Sequence, residues 1–277
     1  KAIAQAKAFE EKARAAVAVT VDVTGNVPAA ETLLGKIEQE LVKRNAKRTN
    51  ANVGGVAMML YAIPPQSKTD VQREAVFFIH KDTLCACDNR AEAEKMIARM
   101  GGQAGGRLAD VPAYQQTMQR CAAEAGQMVP EVRWYVEPFG YARATRSLLS
   151  GEVLAKRGKD YVSILENQGF DAIQGMGGFV NLAVDGTYEL LHRTSIYAPA
   201  VEGAEDKYKL GMRIMEFPNT DSLQPQTWIP RKLASYRTFS MDLKNAYAHF
   251  GSIFDAIAGY ENAFTDVIEG LEKDPYG

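Results

Sequence analysis

Residues 179–197 read FVNLAVDGTYELLHRTSIY and give the strongest indication of the fold class. The runs on both sides of Asp185-Gly186 are rich in β-branched and aromatic residues, as strands are. Asp-Gly suits a type I′ turn, because both central residues of that turn must accept positive φ. The sequence therefore predicts an antiparallel hairpin with a two-residue turn, in which Val184 lies opposite Thr187.

This register fixes the neighbours of the one histidine in the hairpin. It places Phe179 opposite His192 as a cross-strand packing pair. His192 and Arg193 are adjacent on a strand and point to opposite faces, so they cannot converge on one substrate, although one of them could still line a site. Both faces of the hairpin mix apolar and polar residues. We therefore expect a sheet that helices cover on at least one side.

The rest of the chain alternates strand patterns with amphipathic helix patterns. Strands are predicted over residues 16–23, 56–63, 74–80, 84–87, 131–137 and 236–242. Helices are predicted over residues 1–16, 29–43, 91–100, 111–125, 139–149, 161–168 and 245–258. The pattern indicates an α+β fold in which antiparallel sheets pack with helices.

A weak internal repeat relates several of these segments. Residues 134–137, WYVE, match residues 239–242, FSMD. Residues 161–166, YVSILE, match residues 264–269, FTDVIE, at a similar offset. We therefore expect the fold to be built from repeated strand-helix-helix-hairpin units.

The repeat predicts three segments of chain. Residues 1–105 form a first α+β unit, residues 106–235 form a second, and residues 236–277 begin a third, truncated unit that packs on the second. Glu137 and Asp242 occupy equivalent positions, which suggests that each caps the helix that follows it. Because the hairpin of the third unit is missing, we expect the natural chain to continue, and we expect exposed apolar surface that favours a homo-oligomer.

Composition excludes several classes of protein. Of the 277 residues, 46% are apolar and 24% are charged, which are ordinary globular values. The 32 Lys and Arg residues against 34 Asp and Glu residues provide no field to attract nucleic acid. The basic residues 43–48 are interpreted as the cationic carboxyl end of a helix. No apolar run is long enough to predict a membrane span within the chain.

Cysteine and histidine usage predicts no metal site and no cofactor. These residues are Cys85, Cys87, Cys121, His80, His192 and His249. Three cysteines are too few for a disulfide framework in a chain of this length, and the histidines have no ligand-like spacing. Cys85 and Cys87 are two residues apart on a strand and face the same way. We expect buried or half-buried free thiols.

Motifs for known catalytic chemistry are missing. The sequence has no Gly-x-Ser-x-Gly, His-Glu-x-x-His or phosphate-loop pattern, so the catalytic residues of any reaction are unknown. Residues 175–178, GMGG, precede a strand and do not join a strand to a helix. They therefore predict a turn or a close backbone approach, and no pyrophosphate site.

Candidate ligand-binding residues are mostly aromatic. Trp134, Tyr135 and Tyr141 concentrate where a strand turns into a helix. Trp228 lies in a proline-flanked loop, and His192 lies on the hairpin. Such residues form the floor of grooves for apolar or saccharide ligands or for a protein partner, and the alternative is that they are core residues.

Residues 109–277 resemble a set of large exported planctomycete proteins of unknown function. The resemblance is carried by four motifs, Leu165–Ile173, Leu191–Thr194, Tyr197–Pro199 and Trp228–Arg231. It implies export to the periplasm or cell envelope, with a signal or anchor upstream of Lys1. It implies no activity.

The sequence favours a non-catalytic binding or scaffold domain of an exported, envelope-associated protein. The alternative is a hydrolase with an unorthodox active site. That alternative requires a cleft in which His192 or His249 lies within hydrogen-bond reach of a carboxylate and of a hydroxyl or thiol.

Overall fold

A computed structural model describes residues 14–67, 72–103, 105–148, 159–184, 186, 188–200, 202–203, 206–218 and 223–274. Residues 11–107 form one compact unit and residues 108–277 belong to another, and each is described by itself. The predicted helix over residues 1–16 falls almost entirely outside the described residues. The fold is α+β, with antiparallel sheets packed with helices, as predicted.

The first unit contains five strands and two helices. They are β1 (Ala18–Asp22), α1 (Val27–Lys43), β2 (Lys47–Val53), β3 (Val56–Ile63), β4 (Arg73–His80), β5 (Thr83–Cys87) and α2 (Arg90–Met100). The strands form one antiparallel sheet in the order β1-β5-β4-β3-β2. The prediction of antiparallel β3, β4 and β5 is confirmed.

Helices cover both faces of this sheet. On the α1 face, Leu34 of the helix packs with Val23 and Leu84 in one buried cluster. On the α2 face, Phe78 and Cys85 are fully buried in a larger cluster. The central strands therefore bury side chains on both sides, which explains why β3 reads as a nearly continuous apolar run.

Strand β2, whose sequence is KRTNANV, was not predicted. Lys47 and Arg48 were interpreted as the carboxyl end of a helix, but they begin this edge strand, and α1 ends at Lys43. Arg48 Nη1 lies 2.6 Å from Glu38 Oε1, so an ion pair joins β2 to α1. Charged and polar residues are common on edge strands, because only one edge of such a strand is paired and much of it faces water.

The second unit contains a smaller sheet and five helices in the described residues. The elements are α3 (Pro112–Ala125), β6 (Val132–Val136), α4 (Pro138–Ser147), α5 (Tyr161–Asn167), β7 (Gly175–Val184), β8 (Tyr188–Tyr197), α6 (Leu243–Ala258) and α7 (Ala263–Lys273). Short 3₁₀ segments span Leu108–Asp110, Phe170–Ala172 and Leu210–Met215. The three strands pair antiparallel in the order β6-β7-β8.

The predicted hairpin forms, but its register was wrong by one residue. Val184 pairs with Tyr188, so three residues connect the strands, and Phe179 lies opposite Arg193 instead of His192. Burial explains the shift. The observed register places Phe179 and Leu191 on the same face, where both pack with the buried Cys121 of α3. The expected helix cover on at least one side of this sheet is confirmed.

The predicted strand over residues 236–242 was also wrong. These residues form no strand, and Tyr236 and Phe239 are exposed. A strand needs a pairing partner, and this segment pairs with none of the described strands. The structure thus confirms the α+β class and does not confirm the repeated units.

Helix α6 packs within the second unit. Ile253 is buried against Gly211, where a methyl group would collide with it. Asn245 Nδ2 donates a hydrogen bond to the carbonyl oxygen of Arg213, at 2.7 Å. Phe264 of α7 contacts Phe250 and two further aromatic rings of α6. One apolar face of α6 is therefore used inside the unit.

The predicted helix caps are confirmed. Glu137 accepts hydrogen bonds from the backbone N–H groups of Phe139 and Gly140, at 3.0 and 2.5 Å. Asp242 accepts one from the backbone N–H of Asn245, at 2.9 Å. Each carboxylate satisfies amide groups that have no partner inside the helix, and its negative charge lies at the positive end of the helix dipole.

Removing the Asp242 cap should lower the stability of the second unit. We expect Asp242→Ala to reduce the free energy of unfolding by about 1 kcal/mol, because the first turn of α6 loses its acceptor. Asp242→Asn keeps an acceptor oxygen at the same place and should cost much less. Urea unfolding of the two variants compares them directly, and equal midpoints for Ala and Asn would contradict the capping role.

Candidate functional site

The two faces of the second sheet differ in what covers them. Odd-numbered residues of β7 and β8 face α3, and Phe179 and Asn181 among them are buried. Even-numbered residues of β6, β7 and β8 share the opposite face, which we call the open face. Its described residues include Val132, Trp134, Gly178, Val180, Leu182, Leu190, His192, Thr194 and Ile196.

Trp134 and His192 form the centre of the open face. Their ring centroids are 6.0 Å apart, with the planes inclined at 59°. Trp134 lies over Gly178, its pairing partner on β7. A Cβ atom at Gly178 would come within 2.9 Å of the indole Nε1. The indole can therefore approach the strand this closely only because residue 178 is glycine. His192 Nε2 also lies 3.3 Å from the hydroxyl oxygen of Thr194.

An aliphatic rim surrounds this centre. Val132 is 52% exposed, Leu182 58%, Leu190 57% and Ile196 55%. Leu182 and Leu190 pair directly across β7 and β8. Exposed leucines are ordinary when they occur singly, but contiguous apolar residues on one sheet face are typical of interaction surfaces.

Tyr135 belongs to the opposite face. Its ring packs edge-on against Tyr114 of α3, with centroids 5.2 Å apart. Its hydroxyl donates to the carbonyl oxygen of Gln174, at 3.4 Å. Burial, with a smaller contribution from the nearby Glu137 carboxylate, raises the pKa of Tyr135. Tyr135 therefore serves packing between α3 and the sheet.

The other two aromatic candidates are exposed and separate. Tyr141 is 62% exposed on α4, and Trp228 is 76% exposed in an irregular segment. In the described part of the chain, neither makes a ring contact with Trp134 or His192. Of the five candidates, the structure thus brings together Trp134 and His192.

The aliphatic rim was not predicted from the sequence. Leu182 and Leu190 were placed on different faces, because the predicted register paired residues of unlike parity. The true register pairs even-numbered with even-numbered residues and gathers the apolar side chains of three strands. A hairpin with a three-residue connection would have predicted the rim, because that register places the apolar Phe179 and Leu191 on the same face of the sheet.

The glycine-rich residues 175–178 provide the predicted close backbone approach. They lie within β7 instead of before it, which corrects the predicted start of that strand. A Cβ atom at Gly177 would come within 2.6 Å of Thr117 Cγ2 on α3. Gly178 makes the equivalent approach to Trp134 on the other face. The glycines let both neighbours lie close to the strand.

The thiols are buried, as predicted. Cys85, Cys87 and Cys121 are all buried and unpaired. Burial, together with the neighbouring Cys87 thiol, raises the pKa of Cys85 to about 11. Cys87 Sγ donates to the carbonyl oxygen of Asn89, at 3.3 Å, and burial raises its pKa as well. Protonated, buried thiols are poor nucleophiles.

The contacts that the described residues show for His192 and His249 do not include the carboxylate that the hydrolase alternative requires. Among the described residues, the partners that the structure shows for His192 are Trp134 and Thr194, and neither supplies a carboxylate. At His249, the backbone oxygen accepts from the Ser252 hydroxyl, at 3.3 Å, so the contact does not involve the imidazole. Within the described ranges, no three His, Cys, Asp or Glu side chains are grouped to hold a metal ion.

None of the helices in the described part of the chain has the length and apolar character to cross a membrane. Models of protein families, curated proteins and solved structures give no match to this chain.

Proposed function

We propose that this chain is a non-catalytic binding or scaffold module of an exported, envelope-associated protein. The observation that carries the proposal is the open face, where an aromatic centre and an aliphatic rim lie on the uncovered side of a sheet. Export and envelope association rest on the resemblance of residues 109–277 to exported planctomycete proteins. Fractionation of the source cells would test the location, with recovery in the cytosol as the contrary result.

The shape and chemistry of the open face favour a protein partner. The rim offers exposed aliphatic surface without hydrogen-bonding groups, at Leu182, Leu190 and Ile196. Such a surface suits the apolar side chains of a protein. A saccharide site would need several polar side chains around the aromatic ring, and the open face offers His192 and Thr194. We therefore propose a protein partner with an exposed apolar segment.

The alternative of a hydrolase rests on one contact. The His192 imidazole and the Thr194 hydroxyl lie 3.3 Å apart, the reach expected of a base and a nucleophile. Both residues are exposed on the sheet, and the hydrogen bond shown for the imidazole among the described residues is the one to Thr194. This arrangement supports binding better than turnover.

We also propose that the chain derives from repeated units. The support is the equivalent helix caps, since Glu137 and Asp242 occupy matching positions of the repeat and both accept from first-turn amides. The second match, residues 161–166 with residues 264–269, also relates one helical segment to another.

Binding at the open face predicts affinity for apolar probes. We expect the chain to bind the dye anilinonaphthalene sulfonate. We expect Leu182→Gln to weaken that binding about tenfold, because the dye would cover the exposed leucine, and full burial of a leucine side chain contributes roughly 1.5–3 kcal/mol. Leu33→Gln is the matched control, since Leu33 is 49% exposed on α1 of the other unit. Equal affinity of the two variants would contradict the proposed surface.

A substrate screen separates the two functional classes. The purified chain should turn over none of a broad panel of ester, amide, phosphate and glycoside substrates. Turnover that His192→Ala abolishes would refute the non-catalytic proposal and support the hydrolase. The screen and the dye titration have independent readouts, so either proposal can fail alone.

A further inference from the structure

The edge of the second sheet is formed by its longest exposed strand. In the described structure, β8 spans Tyr188–Tyr197 and pairs on one side with β7, which leaves its other side unpaired. Its backbone N–H and C=O groups on that side are a ready template for another strand. Soluble proteins usually shorten, bend or cover such an edge, because it would otherwise pair with other chains.

The space beside this edge is open enough for a chain to enter. A groove of about 560 Å³ lies between β8 and α3. Arg193 and Ser195 line one wall from β8, and Gln116 and Arg120 line the other from α3. The groove therefore runs along an unpaired strand edge, with one arginine on each wall. The Arg120 side chain is already paired with Glu124, at 2.8 Å.

The charges on β8 are arranged symmetrically about one residue. Glu189 and Arg193 lie two positions before and two positions after Leu191, on the same face of the strand. Both are exposed, and neither forms an ion pair with a described residue. A strand that carries opposite charges at equal distances from its centre is complementary to its own antiparallel copy.

We infer that β8 pairs with β8 of a second copy of this chain. The pairing is antiparallel, and its two-fold axis passes at Leu191. In this register Glu189 lies opposite Arg193 of the second copy, and Arg193 lies opposite the second copy's Glu189. Two cross-strand ion pairs then flank a central Leu191 pair, and the two three-stranded sheets become one sheet of six strands.

The same charges favour this register over its neighbours. An axis one residue away, at Leu190 or His192, would place neither charge opposite its counter-charge, and an axis two residues away is worse. An axis at Arg193 would place the two arginines directly opposite each other, and an axis at Glu189 would do the same with two carboxylates. Like charges in directly opposed positions destabilise a strand pair. The axis at Leu191 is therefore the register that these two residues favour.

The pairing also preserves the two faces of each sheet. An axis at Leu191 pairs odd-numbered with odd-numbered residues, so the α3 faces stay on one side and the open faces join on the other. Leu190 lies opposite His192 of the second copy in this register. The inference does not rest on the proposed binding role of the open face, although the dimer would double that surface.

Charge reversal tests the inference in the full 277-residue chain. Sedimentation equilibrium should show a dimer at tens of micromolar. Arg193→Glu and Glu189→Arg should each weaken the dimer by at least about tenfold, because each creates two like-charge pairs across the axis. The double variant exchanges the two charges, restores both ion pairs and should restore the dimer.

The variant that carries both charge reversals also covers the case in which a single substitution harms folding. Restoration cannot come from a damaged chain, and far-ultraviolet circular dichroism of all variants checks the fold. Arg237→Glu is the control, because Arg237 is exposed in an irregular segment outside the sheet, and this variant should stay dimeric. A monomeric wild type overturns the inference, as does a double variant that remains monomeric after both single variants dissociate.

Discussion

Gly178→Ala should lower the free energy of unfolding of the second unit by about 3 kcal/mol, the upper end of what overpacking usually costs. The added methyl group would collide with the backbone carbonyl oxygen of Arg193 and would lie 2.9 Å from Trp134 Nε1. A carbonyl group in a paired strand cannot move aside as a flexible side chain can. The strands must therefore separate, or Trp134 must leave its place on the open face.

Trp134 supplies the signal for this experiment. The chain has two tryptophans, and Trp228 is 76% exposed, so unfolding should change the fluorescence of Trp134 more strongly. Gly270→Ala is the matched control, because a Cβ atom there meets nothing within 4 Å and the residue lies on helix α7. That control should be stabilised by up to about 1 kcal/mol. Equal unfolding midpoints for Gly178→Ala and the wild type would contradict the packing described.

The sequence predicts an element best where one face of it must be buried. Strand β3 was predicted with the bounds that the structure has, Val56–Ile63, because the apolar run is long and prolines follow it. Helix α1 was predicted nearly to its ends for the same reason, since Pro28 marks its first turn and Leu34 its buried stripe. In these segments, local pattern and tertiary packing favour the same structure.

Predictions failed where tertiary pairing outweighs local pattern. Strand β2 has no apolar alternation, and it forms because β3 offers an unpaired edge and Glu38 offers a partner for Arg48. Residues 236–242 have a strand-like pattern, but they pair with none of the described strands and form no strand. In both cases the deciding partner is remote in sequence, so a local pattern cannot reveal it.

Only part of the candidate site could be predicted from the sequence, because its position also depends on contacts that are remote in sequence. Aromatic residues near a strand end suggested Trp134 and Tyr135 together, although adjacent strand residues point to opposite faces. Only the position of α3 shows which face is covered, and α3 covers the side of Tyr135. The rim around Trp134 depends further on the hairpin register, which burial of Phe179 determines. The site is thus a consequence of packing on the opposite face of the sheet.

Phe78→Ala should have the largest effect in the first unit, a loss of about 3–5 kcal/mol of unfolding free energy. Phe78 is fully buried and pairs across the sheet with Met58 on one side and Cys85 on the other. Alanine would leave a cavity beneath α2, between residues that are themselves fully buried. The central strands can close such a cavity only slightly, since α1 packs on their other face.

The reactivity of the native cysteines measures this loss of stability, so no label has to be introduced. Cys85 and Cys87 belong to the same buried cluster as Phe78, whereas Cys121 lies in a cluster of the second unit. A thiol reagent should therefore react with Cys85 and Cys87 at least about a hundredfold faster in Phe78→Ala than in the wild type, since local opening follows stability. Val19→Ala is the control, because Val19 is 57% exposed on β1, and its removal should change stability by no more than about 0.5 kcal/mol. If the two thiols of Phe78→Ala stayed as protected as those of Val19→Ala, the α2 face would not be the tightly packed core described.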